Sequence, residues 1–183
     1  MNALAQTENK RALVTTKGGQ SSAAAEQTQY LTFMLGAEVF AIGILHVKEI
    51  IEYGGVTTVP MMPSCIRGVI NLRGAVVPVM DLSVRFGRPE AVVTKRTCIV
   101  IVEIETDGEN FVIGMIVDAV NAVLDIPASE IEPAPAFGAK VRPDFIQGMG
   151  KVNGKFVLLL SAQQVLSVDE VSAMALAGLT APD

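Results

Sequence analysis

An internal repeat constrains the fold of this chain more than any other feature of its sequence. The segment IRGVINLRGAVVPVMDL, at residues 66–82, returns in a degenerate form from residue 146 onward, a shift of 80 residues (146 − 66). The matched positions are Ile66 with Ile146, Gly68 with Gly148, Gly74 with Gly154, Val77 with Val157 and Val79 with Leu159. The preceding segments match too, since FAIG at residues 40–43 corresponds to FVIG at residues 111–114. The chain therefore contains two similar units, and units this small should share an apolar interface.

Each copy of the repeat has the pattern of a β-hairpin. In the first copy, two apolar runs at residues 69–72 and 75–80 are separated by Arg73-Gly74, and glycine readily supplies the positive φ of a tight turn. The second copy turns at Asn153-Gly154, which is the strongest short hairpin signal. Both copies are therefore predicted to form two antiparallel strands joined by a two-residue turn.

The end of the first hairpin carries two informative residues. Pro78 cannot donate to a strand ladder, so its strand should lie at an edge or carry a bulge. Asp81 should end the strand and cap a short helix over residues 82–86. Ser161, at the matching position of the second copy, can cap a short helix that ends at Leu166.

The remaining apolar segments predict strands and two further helices. The strands are predicted at residues 30–35, 38–42, 96–105 and 111–115. At residues 44–51 and 116–124, apolar side chains recur at a spacing that fits one face of a helix. Each half is therefore predicted to run strand, strand, short helix, then a strand and the hairpin.

These elements predict an all-β fold with short helices, arranged as two small barrels of about five strands each. Closing a sheet into a barrel removes its exposed edges. The first β-barrel subdomain is expected at residues 29–93 and the second at residues 94–166. Residues 1–28 are rich in Ala, Thr, Gln, Ser and Gly and should form a disordered tail. A capping-box pattern at residue 167 predicts that residues 167–183 form a C-terminal helix and tail.

Composition limits the classes of partner. The chain has 183 residues, a formal net charge of −5 and a pI near 4.9, so it lacks the basic surface that a nucleic acid would require. No apolar run approaches the ~20 residues of a membrane span, and no signal-peptide pattern is present. Cys65 and Cys98 match no metal-site spacing and are expected to be free thiols. The sequence predicts a soluble, cytoplasmic protein.

Few residues suggest reaction chemistry. His46 is the only histidine and has no carboxylate partner nearby in the sequence. Asp118 and Asp125 are a candidate carboxylate pair, and Asp81 could suggest a phosphorylated aspartate, but all three can act as caps or solvated ends. No phosphate-binding loop, dinucleotide fingerprint or zinc motif occurs. No enzyme, cofactor or metal is predicted, and a small-barrel module that binds a nucleic acid or a small ligand remains the alternative.

Four motifs resemble those of the CheW-type chemotaxis coupling proteins. They are FAI-x-I-x-x-V-x-EI at residues 40–50, IRGVINLRG-x-x-VPV-x-DL at 66–82, G-x-x-VD-x-V at 114–120 and G-x-x-x-x-x-G-x-x-VLLL at 148–160. The resemblance implies two five-stranded, SH3-like barrels around a hydrophobic interface. It also implies a scaffold that joins the cytoplasmic tip of methyl-accepting chemoreceptors to the regulatory domain of a CheA-type histidine kinase.

The resemblance also implies which residues contact each partner. The expected receptor-binding residues are Val47, Glu49, Ile50, Arg73, Cys98 and Ile99. The expected kinase-binding residues are Val56, Thr57, Arg67 and Gly68. A second contact within the receptor–kinase ring would involve Phe137, although Glu132 stands nearby where the family often has a basic residue.

Overall fold

The computed structural model of the protein describes residues 29–133 and 141–167, and most of these residues lie in β-strands. The strands are β1 (Gln29–Leu35), β2 (Glu38–Gly43), β3 (Val47–Glu52), β4 (Ile66–Leu72), β5 (Ala75–Asp81), β6 (Cys98–Thr106), β7 (Glu109–Val117), β8 (Ala119–Asp125), β9 (Ile131–Glu132), β10 (Ile146–Val152) and β11 (Lys155–Leu160). The described helices are α1 (Leu82–Arg85), α2 (Ala162–Val165) and 3-10 turns at Ile44–His46, Ala128–Glu130 and Pro143–Phe145.

The strands form two sheets. One has five strands in the order β3-β6-β7-β5-β4, and the other has six in the order β8-β1-β2-β11-β10-β9. The predicted all-β class with short helices is confirmed. The six-stranded sheet exceeds the expected five because β9, a strand of two residues, pairs with β10. Within the described ranges the outer strands of each sheet do not pair with each other, so neither barrel is closed by a ladder.

Each half of the chain gives its first hairpin to the other half's sheet. β1 and β2 pair with β8 and β11, while β6 and β7 pair with β3 and β5. The predicted boundary between residues 93 and 94 therefore does not separate one sheet from the other. The main apolar cluster draws on both halves, and its fully buried members include Phe33, Phe40, Met115 and Phe145. Because of this exchange, each sheet contains strands from both halves of the chain, and the two halves are joined by strand pairing as well as by apolar packing.

The two hairpins that define the repeat adopt the same geometry. Arg73 and Gly74 have φ values of 53° and 87°, and Asn153 and Gly154 have values of 53° and 79°. Both central residues of each turn are therefore left-handed, which is the turn that matches the twist of a hairpin. The predicted hairpins are confirmed.

The residues at the end of each hairpin also match. Asp81 and Ser161 share φ and ψ values of −86° and 108°, and their side chains cap α1 and α2 as predicted. Pro78 lies where β5 has a partner on one side only, because the pairing of β5 with β7 begins at Val79. A bulge does occur in this hairpin, but it lies in β4, between Ile66 and Gly68.

The two helices predicted from spacing are wrong. Residues 44–51 form a 3-10 turn and most of β3, and residues 116–124 form the end of β7 and most of β8. Half-buried and exposed residues alternate along β3, which is the period of a strand. Short segments rich in Val and Ile fit both periods, and their β-branched side chains favour the strand.

Three predictions fall on residues outside the described ranges: the tail at residues 1–28, the helix beyond residue 167 and the contact at Phe137. In the described part of the chain, no helix has the length and apolar character needed to cross a membrane.

Candidate partner-binding surfaces

Among the described strands, β3 is one edge of the five-stranded sheet and pairs with β6 alone. Its register shifts between Val47 and Glu49, so Lys48 sits in a bulge. Lys48 lies 3.6 Å from a carboxylate oxygen of Glu103. Charged residues and a bulge protect an edge strand against unwanted pairing with other strands. The edge of β3 is therefore suited to contacts made by side chains.

Arg73, at the tip of the β4–β5 hairpin, forms a bidentate ion pair with Glu49 of β3. Arg73 Nη1 donates to Glu49 Oε2, and Nη2 donates to Oε1 at 2.8 Å. The hairpin turn is fixed by Asn71 Oδ1, which accepts from the Gly74 amide at 2.9 Å. The hairpin tip thus curls back to the opposite edge strand, which gives the open sheet a barrel-like shape.

This ion pair remains accessible to a partner. The Arg73 side chain is 74% exposed and that of Glu49 is 25% exposed. The hydrogen bond from Arg73 lowers the pKa of Glu49 below its ordinary value of 4.5. Glu49 is consequently ionised at neutral pH and orients the guanidinium, leaving much of the Arg73 surface to meet another molecule.

A second group of predicted receptor-binding residues lies on the opposite face of β3. Residues that pair across two strands share a face, and Val47 and Ile50 of β3 pair with Val102 and Val100 of β6. Cys98 lies two residues before Val100 on β6, so it is on the same face. The Ile50 side chain is 42% exposed, although the other exposed residues of this strand are charged. Val47 and Cys98 pack against the main apolar cluster, so the edge of β3 exposes Ile50 on one face and an ion pair on the other.

Cys98 is a half-buried thiol at the end of this apolar face. Its Sγ donates to the carbonyl oxygen of Arg96 at 3.3 Å. Burial raises the pKa of Cys98 above its ordinary value of 9.0, and the Glu52 carboxylate raises it further, while the amide of Val120 partly offsets both. The thiol is therefore protonated at neutral pH and is suited to packing.

Ile99 differs from the other predicted receptor-binding residues. Its side chain is fully buried and packs in a separate apolar cluster with Ile70 and Val79. In this conformation it supports the sheet behind the site and does not face a partner. Neighbouring residues of a strand face opposite ways, but the sequence alone could not tell which of Cys98 and Ile99 faces the interior of the sheet.

The predicted kinase-binding residues meet at the other edge of the same sheet. Thr57 pairs with Val69 of β4 through two backbone hydrogen bonds of 2.8 and 2.9 Å. Gly68 is the reason this close approach is possible, because a Cβ added there would lie 2.2 Å from the Thr57 carbonyl oxygen. Thr57 is exposed and Val56 is half-buried, so these two residues form the accessible part of the group.

Arg67 is held inside this group. Its Nη2 donates to Asp81 Oδ2 at 2.6 Å, and its Nη1 donates to the Tyr53 hydroxyl at 3.2 Å. The Arg67 side chain is only 20% exposed, and that of Asp81 is 1% exposed. The sequence identified Asp81 as a helix cap, but it did not reveal that the same carboxylate binds Arg67. The two residues are 14 positions apart, and no local sequence pattern indicates that they pair.

The second half of the chain repeats this arrangement. Glu132 pairs with Met149, which is the counterpart of Val69 in the repeat (69 + 80 = 149). A Cβ at Gly148 would lie 3.0 Å from the Glu132 carbonyl oxygen. The exposed Glu132 side chain therefore marks a surface equivalent to that of Thr57. The contact expected at Phe137 falls outside the described residues.

The residues considered for catalysis do not assemble into a site. Asp118 Oδ2 accepts from the Gly36 amide at 2.7 Å, whereas Asp125 lies at the far end of β8. A strand rises about 3.3 Å per residue, so roughly 20 Å separate the two carboxylates. His46 is half-buried in a 3-10 turn. Within residues 29–133 and 141–167, no group of three or more His, Cys, Asp or Glu residues could hold a metal ion.

Comparisons of sequence and of structure with known proteins all point to the same family. Residues 29–170 match the family model of the CheW-like domain. The chemotaxis protein CheW of Klebsiella aerogenes is 34% identical over 144 residues, which cover 79% of this chain and 84% of that protein. CheW of Bacillus subtilis is 35% identical over 136 residues, covering 74% and 85% respectively. The crystal structure of the scaffolding protein TtCheW from Thermoanaerobacter tengcongensis superposes with a TM-score of 0.69 at 33% identity, covering 78% of this chain and 90% of that one.

Proposed function

This chain belongs to the CheW-like family of chemotaxis coupling proteins, and we propose that it joins two specific partners. The first is the cytoplasmic tip of methyl-accepting chemoreceptors, and the second is the regulatory domain of a CheA-type histidine kinase. In this role the protein is a scaffold without catalytic activity. It acts in the cytoplasm and reaches the membrane receptors through its partners.

One observation carries the receptor half of the proposal: the edge strand β3 exposes an apolar residue, Ile50, on one face and holds the Glu49–Arg73 ion pair on the other. A receptor tip is a helical hairpin, and a helix docks by placing apolar residues in a groove with charged residues at its sides. A helix along the edge of β3 could contact Ile50 and also reach the Arg73 guanidinium. A bidentate arginine suits such a contact because its fork recognises carboxylates.

The topology of the five-stranded sheet supports simultaneous binding. β3 and β4 are its two outer strands, and Thr57 pairs along the free side of β4. The receptor surface uses Glu49 and the hairpin tip at Arg73, whereas Thr57 pairs with Val69 in the middle of β4, so the two partners would contact different residues. Moderate affinity at each surface is sufficient, because repeated contacts in an array raise the effective affinity.

A binding experiment with separated partners tests this proposal. The kinase regulatory domain and a receptor-tip fragment are each immobilised, and the full chain is passed over them. The wild-type chain should bind both, and Arg73→Glu should bind only the kinase domain. Failure of the wild-type chain to bind either partner, at concentrations where another CheW-like protein binds, would overturn the proposal.

A further inference from the structure

The connector of residues 88–97, which joins α1 to β6, presents two apolar side chains to solvent. Val92 is 78% exposed and Val93 is 47% exposed. Single exposed apolar residues are common on protein surfaces and need no explanation. Two in succession, of which Val92 helps to line a surface cavity of about 490 Å³, are better suited to contact with another molecule.

The backbone of this connector is held in place at both ends. At its start, the Ala91 amide donates to Asp81 Oδ2 at 3.0 Å, and the Ala91 carbonyl oxygen accepts from Arg67 at 3.4 Å. At its end, the Thr97 amide donates to the Thr94 carbonyl oxygen at 3.2 Å. The Thr94 amide donates in return to Thr97 Oγ1 at 2.8 Å. Fixing a loop before binding reduces the conformational entropy that binding would otherwise cost.

The same network ties the connector to the proposed kinase-binding surface. Arg67 and Asp81 contact Ala91, and Ala91 packs against the apolar cluster that Val56 and Tyr53 also cover. The Tyr53 amide donates to the Thr97 carbonyl oxygen at 3.2 Å. The two valines therefore lie on a segment that is continuous with the surface around Thr57.

Charge favours one kind of partner. Lys95 and Arg96 follow the valines and are both exposed, although the chain as a whole carries a net charge of −5. Glu90 is the one exposed acidic residue within the connector. A partner surface with apolar side chains bordered by carboxylates would complement this segment.

We propose that Val92 and Val93 are a further contact for the kinase regulatory domain, through an apolar patch of that domain bordered by carboxylates. In this arrangement Arg67 and Asp81 act as positioning residues that hold the connector. The inference rests on the proposed function, since it assigns an additional part of the kinase-binding surface.

The test compares Val92→Ser/Val93→Ser with Val123→Ser. Val123 is 49% exposed on β8, in the other sheet, and serves as the matched control. Calorimetric titration with the kinase regulatory domain should show ~10-fold or greater weakening for the double variant, because apolar contacts central to an interface dominate its affinity. The control should bind like the wild type. Both variants should bind the receptor tip unchanged.

A second measurement avoids substitution altogether. In the wild-type chain, hydrogen exchange at residues 91–94 should slow when the kinase domain is bound and should not change when the receptor tip is bound.

Reversing the charges of Lys95 and Arg96 to Glu should slow association with the kinase domain and weaken its dependence on salt.

The outcomes separate this inference from the proposed function. Unchanged kinase affinity in the double variant, together with unchanged exchange at residues 91–94, would overturn the connector contact and leave the scaffold role intact. Absence of kinase binding by the wild-type chain would instead overturn the proposed function.

Discussion

Arg73 and Glu49 lie 24 residues apart in the sequence and form a bidentate ion pair, with Arg73 Nη2 2.8 Å from Glu49 Oε1. The pair joins the tip of one hairpin to the edge strand of the same sheet. It is exposed, so its contribution to folding should be small. The ion pair is therefore expected to act mainly in the recognition of a partner protein.

Arg73→Glu should abolish binding to the receptor tip and leave the thermal unfolding midpoint nearly unchanged. The substitution replaces an attraction with a repulsion between two carboxylates, and it removes the fork that recognises a partner carboxylate. Calorimetric titration and a thermal melt measure the two effects. A large fall in the midpoint with receptor binding preserved would show that Arg73 has a structural role instead. Arg73→Lys, which keeps the charge but loses the fork, should retain part of the binding.

The pKa of Glu49 predicts how the ion pair responds to acid. Arg73 lowers the pKa of Glu49 in the folded protein below 4.5. The ion pair therefore contributes fully to stability above the pKa of Glu49 in the unfolded chain, and this contribution is lost as pH falls through the lower pKa of the folded state. A titration of the Glu49 side chain followed by NMR should therefore give a midpoint below 4.5. In Arg73→Gln the midpoint should rise towards 4.5. Equal midpoints in the two proteins would mean that the pair does not form in solution.

Gly68→Ala should destabilise the protein by about 1–3 kcal/mol, the usual cost of overpacking. Its new Cβ would lie 2.2 Å from a backbone oxygen of Thr57, which has little freedom to move. Gly54→Ala is the matched control, because no atom of residues 29–133 and 141–167 outside its immediate neighbours lies within 4 Å of a Cβ at Gly54. Urea unfolding measures both variants. Equal stabilities would show that the Thr57–Val69 pairing shifts without cost.

Asp81→Ala should cost more stability than Ser161→Ala, although both remove an equivalent helix cap. The Ser161 change removes one cap and should cost about 1 kcal/mol. The Asp81 change also leaves Arg67 and the Ala91 amide without their carboxylate, so we expect about 3 kcal/mol or more. Urea unfolding of the two variants tests the difference. Losses of similar size would mean that Arg67 contributes nothing through Asp81.

Glu52→Gln should make Cys98 more reactive. The Glu52 carboxylate adds to the effect of burial in raising the pKa of this thiol above 9.0, so removing its charge should increase the thiolate fraction. Alkylation by iodoacetamide at pH 8 should therefore be faster in the variant. Receptor-tip binding should slow the reaction in both proteins. A rate that Glu52→Gln leaves unchanged would place the Glu52 charge too far away to matter.

Much of the fold could be predicted from the sequence, because its strongest signals are local. The turns at Gly74 and Gly154 and the cap at Asp81 depend on residues within a few positions of each other, and the structure confirms all three. The 80-residue repeat also predicted that one half would resemble the other. The helices predicted at residues 44–51 and 116–124 failed because runs of Val and Ile fit two periods, and only pairing with β6 and β1 decides between them.

The arrangement of the candidate surfaces was less accessible to sequence reasoning. The exchange of hairpins between the sheets rests on parallel pairings such as Val79 with Gly114, which leave no local pattern. The burial of Ile99 and the inward position of Arg67 both follow from register. The resemblance to the family supplied the residues, and the structure shows which of them are exposed.

We propose that two partners bind this protein at the same time, one at Ile50 and the Glu49–Arg73 pair and the other around Thr57. Sedimentation velocity on a mixture of the full chain, the kinase regulatory domain and the receptor tip tests it most directly. We predict a ternary complex, with kinase affinity unchanged when the receptor tip is saturating. Competition, in which the receptor tip releases the kinase domain and only binary complexes sediment, would show that the two surfaces cannot be occupied together.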